Sequence, residues 1–88
     1  MSVTTADLAL PTTLRHEQAM AWLDGLQWPR GQRLQIDASP LSSFDSSALA
    51  CLIELRRRVQ AGGGQLQVIG LPERLQRLAQ VYGLADLI

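Results

Sequence analysis

Residues 34–61, LQIDASPLSSFDSSALACLIELRRRVQA, decide the fold of this chain. The first four residues alternate apolar and polar side chains, and this period of two predicts a β-strand. Residues 48–61 instead repeat apolar side chains at helical spacing, which predicts an amphipathic helix. The polar stretch between them, residues 39–47, holds one aromatic side chain, Phe44. A strand, a polar loop and a helix in this order indicate one βα unit.

Both ends of the predicted helix carry their own signals. Asp45, Ser46 or Ser47 is expected to accept a hydrogen bond from the first free N–H groups of the helix. The arginines at 56–58 lie in its second half, where cations suit the negative end of the helix dipole. The glycines at 62–64 supply a residue that adopts a left-handed conformation easily and ends the helix.

The chain before this unit predicts a first strand and a first helix. Residues 8–10 are expected to end the strand, because Pro11 has no N–H for a sheet ladder. Thr12 and Thr13 are candidate caps of the helix, in which apolar residues recur at helical spacing. This helix is expected to stop before Pro29.

After residue 61 the alternation of strand and helix continues. Residues 65–69 have a period of two and predict a strand, and Pro72 favours the start of a third helix that ends at Gly83. Residues 84–88 are too short for an independent element and are expected to pack back on the body. The order predicts an α/β fold with a small, mostly parallel or mixed sheet and alternating helices, in one domain over residues 1–88.

Length and charge exclude several classes of protein. The 88 residues suit one small core, and a chain with 47% hydrophobic and 18% charged residues is globular rather than disordered. Eight acidic and eight basic residues balance, which argues against nucleic-acid binding because that needs a basic excess. The N-terminus has neither a basic start nor a long apolar stretch, so we expect no signal peptide and a cytoplasmic location.

Side chains that carry chemistry are few. One cysteine, Cys51, and one histidine, His16, provide neither a disulfide nor a His–Cys cluster for a metal. Ser46 and Ser47 lie beside Asp45, but no G-x-S-x-G elbow surrounds them and His16 is the one candidate base. The three glycines lack the P-loop pattern. We therefore expect no catalytic residue, no metal and no cofactor.

Several motifs together resemble the STAS domain family. They are LQIDAS at residues 34–39, FDSSAL at residues 44–49, and the glycine-rich turn, strand and Leu-Pro-initiated helix that follow. The last helix, RLQRLAQVYGL at residues 74–84, is most similar to the short MlaB-like members of the family. The resemblance implies a non-enzymatic protein that binds the ATPase subunit of a phospholipid ABC transporter. Such a protein is cytoplasmic and peripheral to the inner membrane through its partner.

The resemblance also implies a partner-binding surface at the loop and the helix start. The functional hydroxyl of MlaB-like members falls on Ser46, and that of the anti-sigma factor antagonists falls on Ser47. The alternative function is therefore an anti-sigma factor antagonist whose Ser47, or Ser46, is phosphorylated by an anti-sigma factor kinase. Ala48 stands where those antagonists commonly have Gly. The expected contact residues are Ser43, Phe44, Asp45, Ser46 and Ser47.

Overall fold

The computed structural model describes residues 5–87, and five short strands within them form two parallel sheets. The strands are β1 (Thr5–Ala9), β2 (Thr13–Leu14), β3 (Arg33–Asp37), β4 (Ser43–Phe44) and β5 (Gln65–Ile69). The central sheet has the strand order β1-β3-β5. The other two strands, β2 and β4, pair with each other over two residues.

The pleat of the central sheet separates an apolar face from a polar one. Leu34, Ile36 and Leu66 are buried on one face. Gln35 of β3 lies in register with Gln67 of β5 on the other face. The period of two at residues 34–37 and 65–69 is therefore confirmed as strand, with one face turned to the core.

Within the described residues, three α-helices alternate with the strands, and the second of these helices forms the centre of the core. This helix contacts both the first helix and β5. The spacing predicts an apolar stripe at Ala48, Leu49, Leu52, Ile53, Leu55 and Val59, and all of these except Ile53 are buried, together with Cys51. The small parallel α/β fold is thus confirmed. The helices are α1 (Ala19–Gly25), α2 (Ser47–Ala61) and α3 (Glu73–Val81), and a 3-10 turn at Ala85–Leu87 follows them.

The predicted ends of α2 and α3 are also confirmed. Gly63 takes a φ of 83° directly after α2, and the N–H of Gly64 donates to the carbonyl oxygen of Val59 at 3.0 Å. Pro72 immediately precedes α3, and Gly83 takes a φ of 70° after it. Glycine meets these positive φ values without the steric penalty of a Cβ.

The start of the first helix differs from the prediction. Thr12 and Thr13 do not cap it, because α1 begins at Ala19. Thr13–Leu14 instead pairs with Ser43–Phe44. Leu14 is completely removed from solvent, and burial of this side chain favours the extended pairing over an earlier helix start.

The end of the chain packs on the body as expected. Leu84 is half-buried and lies against the core. Residues 1–4 and 88 lie outside the part of the chain that the structure describes, so the expectation for residue 88 is not tested. Among the helices of residues 5–87, none combines the length and the apolar character needed to cross a membrane.

Gly64 lies tightly against the connection that precedes β3, and this contact gives a test of the fold. A Cβ on Gly64 would overlap the carbonyl oxygen of Gln32 and press on Cγ1 of Val59 at 3.2 Å. Gly64→Ala is therefore expected to lower the free energy of unfolding by about 1–3 kcal/mol, as overpacking does. Urea unfolding followed by circular dichroism measures the change.

Gly25→Ala is the matched control for Gly64→Ala. No atom lies within 4 Å of the Cβ that this substitution adds. Alanine in place of a helical glycine is expected to leave the stability unchanged or raise it by up to about 1 kcal/mol. Equal stability of the two variants would contradict the tight contact at Gly64.

Candidate functional site

The loop that leads into α2 is tied down by backbone hydrogen bonds. The N–H groups of Ser42 and Ser43 donate to the carbonyl oxygen of Thr12, at 2.9 and 3.0 Å. The Ser42 hydroxyl donates to the same oxygen at 3.2 Å, and Ser43 Oγ accepts from Arg15 Nη1 at 3.4 Å. The hydroxyl of Ser43, a predicted contact residue, and that of its neighbour Ser42 are therefore engaged with the segment that follows β1.

Phe44 anchors this loop in the core. Its side chain keeps 6% of its surface exposed and belongs to the cluster of buried apolar residues. The guanidinium of Arg74 lies over the ring, 5.1 Å from its centroid, a distance typical of a cation–π contact. Phe44 was expected to contact a partner, and the structure instead covers it with core and with Arg74.

Asp45 joins two separate parts of the chain at the start of α2. Its Oδ1 accepts from the N–H of Ser47 at 2.9 Å, and its Oδ2 accepts from the N–H of His16 at 3.1 Å. The hydrogen bond from His16, and after it the one from Ser47, stabilises the ionised carboxylate and lowers the pKa of Asp45. Burial acts in the opposite direction with a smaller effect. Of the three candidate caps, Asp45 is thus the one that receives a helix N–H.

The two serines after Asp45 lie in different environments. Ser46 is exposed, and its hydroxyl makes no hydrogen bond with any group of residues 5–87. Ser47 is half-buried, and its backbone N–H donates to the Asp45 carboxylate. Ser46 is therefore the hydroxyl that the entrance of α2 presents to solvent.

A groove of about 400 Å³ begins at Ser46 and runs along α2. Its walls come from α2 and from the chain that ends α3. We call it the α2 groove, and its lining residues are Ser46, Leu49, Ala50, Ile53, Glu54, Tyr82 and Leu84.

Sequence reasoning missed the α2 groove. The helical spacing of the third helix predicts a buried stripe that includes Tyr82, but Tyr82 is 57% exposed. The available signal was the spacing of Ser46, Leu49, Ala50 and Ile53, because residues three and four apart share one helix face. That spacing identifies the α2 wall alone, and the second wall comes from residues more than 25 positions later.

Cys51 and His16 do not line the α2 groove. Cys51 is buried, its thiol contacts the carbonyl oxygen of Ala19 at 3.6 Å, and burial raises its pKa to about 11. His16 reaches Asp45 through its backbone N–H. Within residues 5–87, no three His, Cys, Asp or Glu side chains come together in a group suited to a metal ion.

Comparison with known families now adds to this geometry. A family model described as "Mlab, STAS domain" matches residues 2–88. The chain belongs to the STAS domain family. A search among curated proteins gave no match. STAS domains are in general non-enzymatic interaction and regulatory domains. The entrance of α2 in this STAS domain has an exposed hydroxyl beside a groove.

The bridge made by Asp45 predicts a pH-dependent stability. Asp45→Ala removes both acceptors and is expected to lower the melting temperature, because the N–H groups of His16 and Ser47 lose their partner. The pKa of Asp45 in the folded state lies below the usual value of an aspartate, so the stabilisation is present above about pH 4 and is lost as the pH falls through the folded-state pKa. The difference in melting temperature between wild type and Asp45→Ala should therefore become smaller at low pH.

Ser46→Ala is the control for this measurement, because its hydroxyl bonds to no group in the described chain. It should melt close to wild type at every pH, with both series followed by circular dichroism. If the melting temperatures of wild type and Asp45→Ala differed by the same amount from pH 7 to below the pKa of Asp45, the assigned role of the carboxylate would be contradicted.

Proposed function

We propose that this STAS domain is a non-enzymatic subunit that binds the ATPase subunit of a phospholipid ABC transporter and supports its assembly and activity. The MlaB-like description of the matching family supports this class of partner. The observation that carries the proposal is the exposed Ser46 hydroxyl at the mouth of the α2 groove. The partner would hold the domain at the cytoplasmic side of the inner membrane.

The chemistry of the entrance suits protein contact. The charge of Asp45 is already satisfied by two backbone N–H groups, so a partner that covers it meets no unpaired carboxylate. Ser46 adds a small hydroxyl that donates and accepts, and Leu49, Ala50 and Ile53 add apolar surface beside it. A polar group next to an apolar strip is a common arrangement in protein interfaces.

The same geometry argues against a serine hydrolase. A Ser-His-Asp triad needs the acid to hold the imidazole and the imidazole to reach the serine. Here the Oδ2 atom of Asp45 accepts from the backbone N–H of His16, and Oδ1 accepts from Ser47. The carboxylate thus orders the backbone of the entrance, a structural role that a binding protein uses.

Ser46→Glu tests the proposed contact. A glutamate at this exposed position introduces a charge into the interface, and an unpaired buried charge is strongly unfavourable. Affinity for the purified ATPase subunit is expected to fall about 10-fold or more, which isothermal titration calorimetry measures. Gln60→Glu makes the same charge change at an exposed position near the other end of α2 and should bind like wild type. Undiminished binding by a correctly folded Ser46→Glu variant would overturn the proposed surface.

The alternative, an anti-sigma factor antagonist, makes a different prediction for the native protein. Phosphorylation by a kinase would leave a phosphate on Ser47 or Ser46, and a dianion on Ser47 would lie beside the Asp45 carboxylate. We expect the intact mass of protein purified from its native host to correspond to the unmodified chain. A reproducible phosphate adduct mapped to either serine would favour the alternative.

A further inference from the structure

We propose that two copies of this chain associate through the free edge of β5, which pairs antiparallel with its counterpart about Gln67 and joins the two central sheets into one. No residue of β5 lines the α2 groove, so the inference is independent of the proposed function. It depends on backbone groups that the fold leaves unpaired and on a strand whose sequence is complementary to itself.

β5 is an edge strand of the central sheet, because β3 is the one strand beside it. The N–H of Gln65 and the carbonyl oxygen of Ile69 bond to the residues that flank β3, at 3.3 and 2.7 Å. In a parallel ladder, alternate residues direct both backbone groups to the same neighbour, so those of Leu66 and Val68 point away from β3. Within residues 5–87, no backbone group of another segment pairs with them. The N–H and C=O groups of both residues are therefore open to a further strand.

The sequence of β5 does not protect this edge. Natural proteins protect edge strands with charged side chains, proline or a bulge. β5 reads QLQVI and has neither a charge nor a proline, and all five residues pair with β3 in unbroken register. The opposite edge of the sheet differs, because β1 carries the exposed Asp7 at its centre. An added strand is therefore expected at β5 rather than at β1.

The core is less completely covered at this edge than in the middle of the sheet. Leu34 and Ile36 of the central strand are 1% and 0% exposed. On β5, Leu66 is 7% exposed and Val68 is only partly buried. A strand that brings apolar side chains to the same face removes more of this surface from water, which favours association.

Antiparallel pairing about Gln67 matches β5 to itself. In this register Leu66 of one copy faces Val68 of the other, and their free N–H and C=O groups exchange both backbone hydrogen bonds. These apolar side chains lie on the core-facing side and extend the core across the twofold axis. On the other side Gln67 faces its own counterpart at the closer spacing of a non-hydrogen-bonded pair, where each amide both donates and accepts.

A second copy fits this edge better than a strand of another protein. An added strand gains affinity from backbone hydrogen bonds and specificity from side chains that alternate between the two faces. β5 offers no charge to select a foreign strand, whereas its alternation of glutamine and apolar residues supplies its own complement. The contact uses the same surface on both copies, so it closes at a dimer. Five residues from each copy make a small interface, and we expect a reversible dimer that forms as the concentration rises.

Sedimentation equilibrium of the full chain, from about 10 µM to about 1 mM, tests the association. The average mass is expected to rise from 9.7 kDa toward twice that value. Gln67→Lys places two like charges opposite each other across the axis and should weaken dimerisation about 10-fold or more. Gln35→Lys is the matched control, because it makes the same change on the same face and in the same row, one strand away from the edge. It should stay within about 2-fold of wild type, since its two charges lie more than a Debye length apart, about 14 Å.

A mixture of two charged variants separates a specific contact from misfolding. Gln67→Lys and Gln67→Glu should each remain monomeric alone at concentrations where wild type dimerises. An equimolar mixture should associate, because the opposite charges then face each other. A mixture that stays monomeric would overturn the pairing about Gln67.

Disulfide trapping tests the register. In the proposed dimer the two residues at position 67 lie about 4.5 Å apart between Cα atoms, which a disulfide spans. Gln67→Cys should therefore form a linked dimer on mild oxidation, seen by electrophoresis without reductant. Gln65→Cys is the control, because its counterpart lies four residues along the paired strand, about 14 Å away. The natural thiol, Cys51, is buried and does not compete.

The outcomes separate this inference from the proposed function. A wild-type chain that stays at 9.7 kDa up to about 1 mM overturns the dimer, and equal linking of Gln65→Cys and Gln67→Cys overturns its register. If wild type stays monomeric and Gln67→Lys weakens binding to the purified ATPase subunit, the edge belongs to a partner strand and the second copy is overturned. Ser46→Glu, which tests the proposed function, should leave the dimer unchanged, and its loss in that variant would overturn the assignment to β5.

Discussion

The carboxylate of Asp45 is the interaction on which the entrance of α2 depends. An ionised carboxylate accepts hydrogen bonds at both oxygens, and Asp45 uses one for the N–H of Ser47 and the other for the N–H of His16. One side chain thus fixes the first turn of the central helix to a segment 29 residues earlier in the chain. The pairing of β2 with β4 lies next to this bridge and holds the same two segments together.

A second carboxylate fixes the other end of the same connection. Asp37 ends β3, and its Oδ1 accepts from the N–H of Ser39 at 2.9 Å, which lowers the pKa of Asp37. Gly70 packs against this turn so closely that a Cβ there would lie 2.9 Å from Asp37 Oδ1. The loop from β3 to α2 is therefore held at its start by Asp37 and at its end by Asp45, and Ser46 emerges from a fixed frame.

The parts of the fold that the sequence predicts are those with a repeating pattern. Residues 34–37 and 48–61 repeat their apolar side chains with periods that belong to one strand and one helix, and both elements form there. A two-residue strand has no period to detect, so the pairing of Thr13–Leu14 was missed. Thr12 and Thr13 were assigned as caps from residue type alone, and residue type does not reveal that Leu14 is buried.

The candidate site was predictable only in part for the same reason. Asp45 was identified as a cap because acidic side chains favour helix starts, but its bond to His16 depends on the tertiary fold. Phe44 was assigned to the contact surface from the family resemblance, whereas its burial, beside the β2–β4 pairing, depends on the tertiary fold. The α2 groove needs a wall from Tyr82 and Leu84, which no local pattern around α2 contains.

Pairing within the domain, rather than net charge, determines what the surface offers to a partner. The formal net charge is zero, which by itself indicates no preference for an acidic or a basic partner. Glu54 is shared by Arg57 and Arg58, and Asp45 is occupied by backbone N–H groups. These contacts occupy the acidic groups beside the α2 groove, so a neutral chain presents an exposed hydroxyl at one end of that groove and, elsewhere on α2, an arginine, Arg56, that takes part in none of the ion pairs of residues 5–87. The specificity of such a surface follows from which charges the fold leaves unpaired.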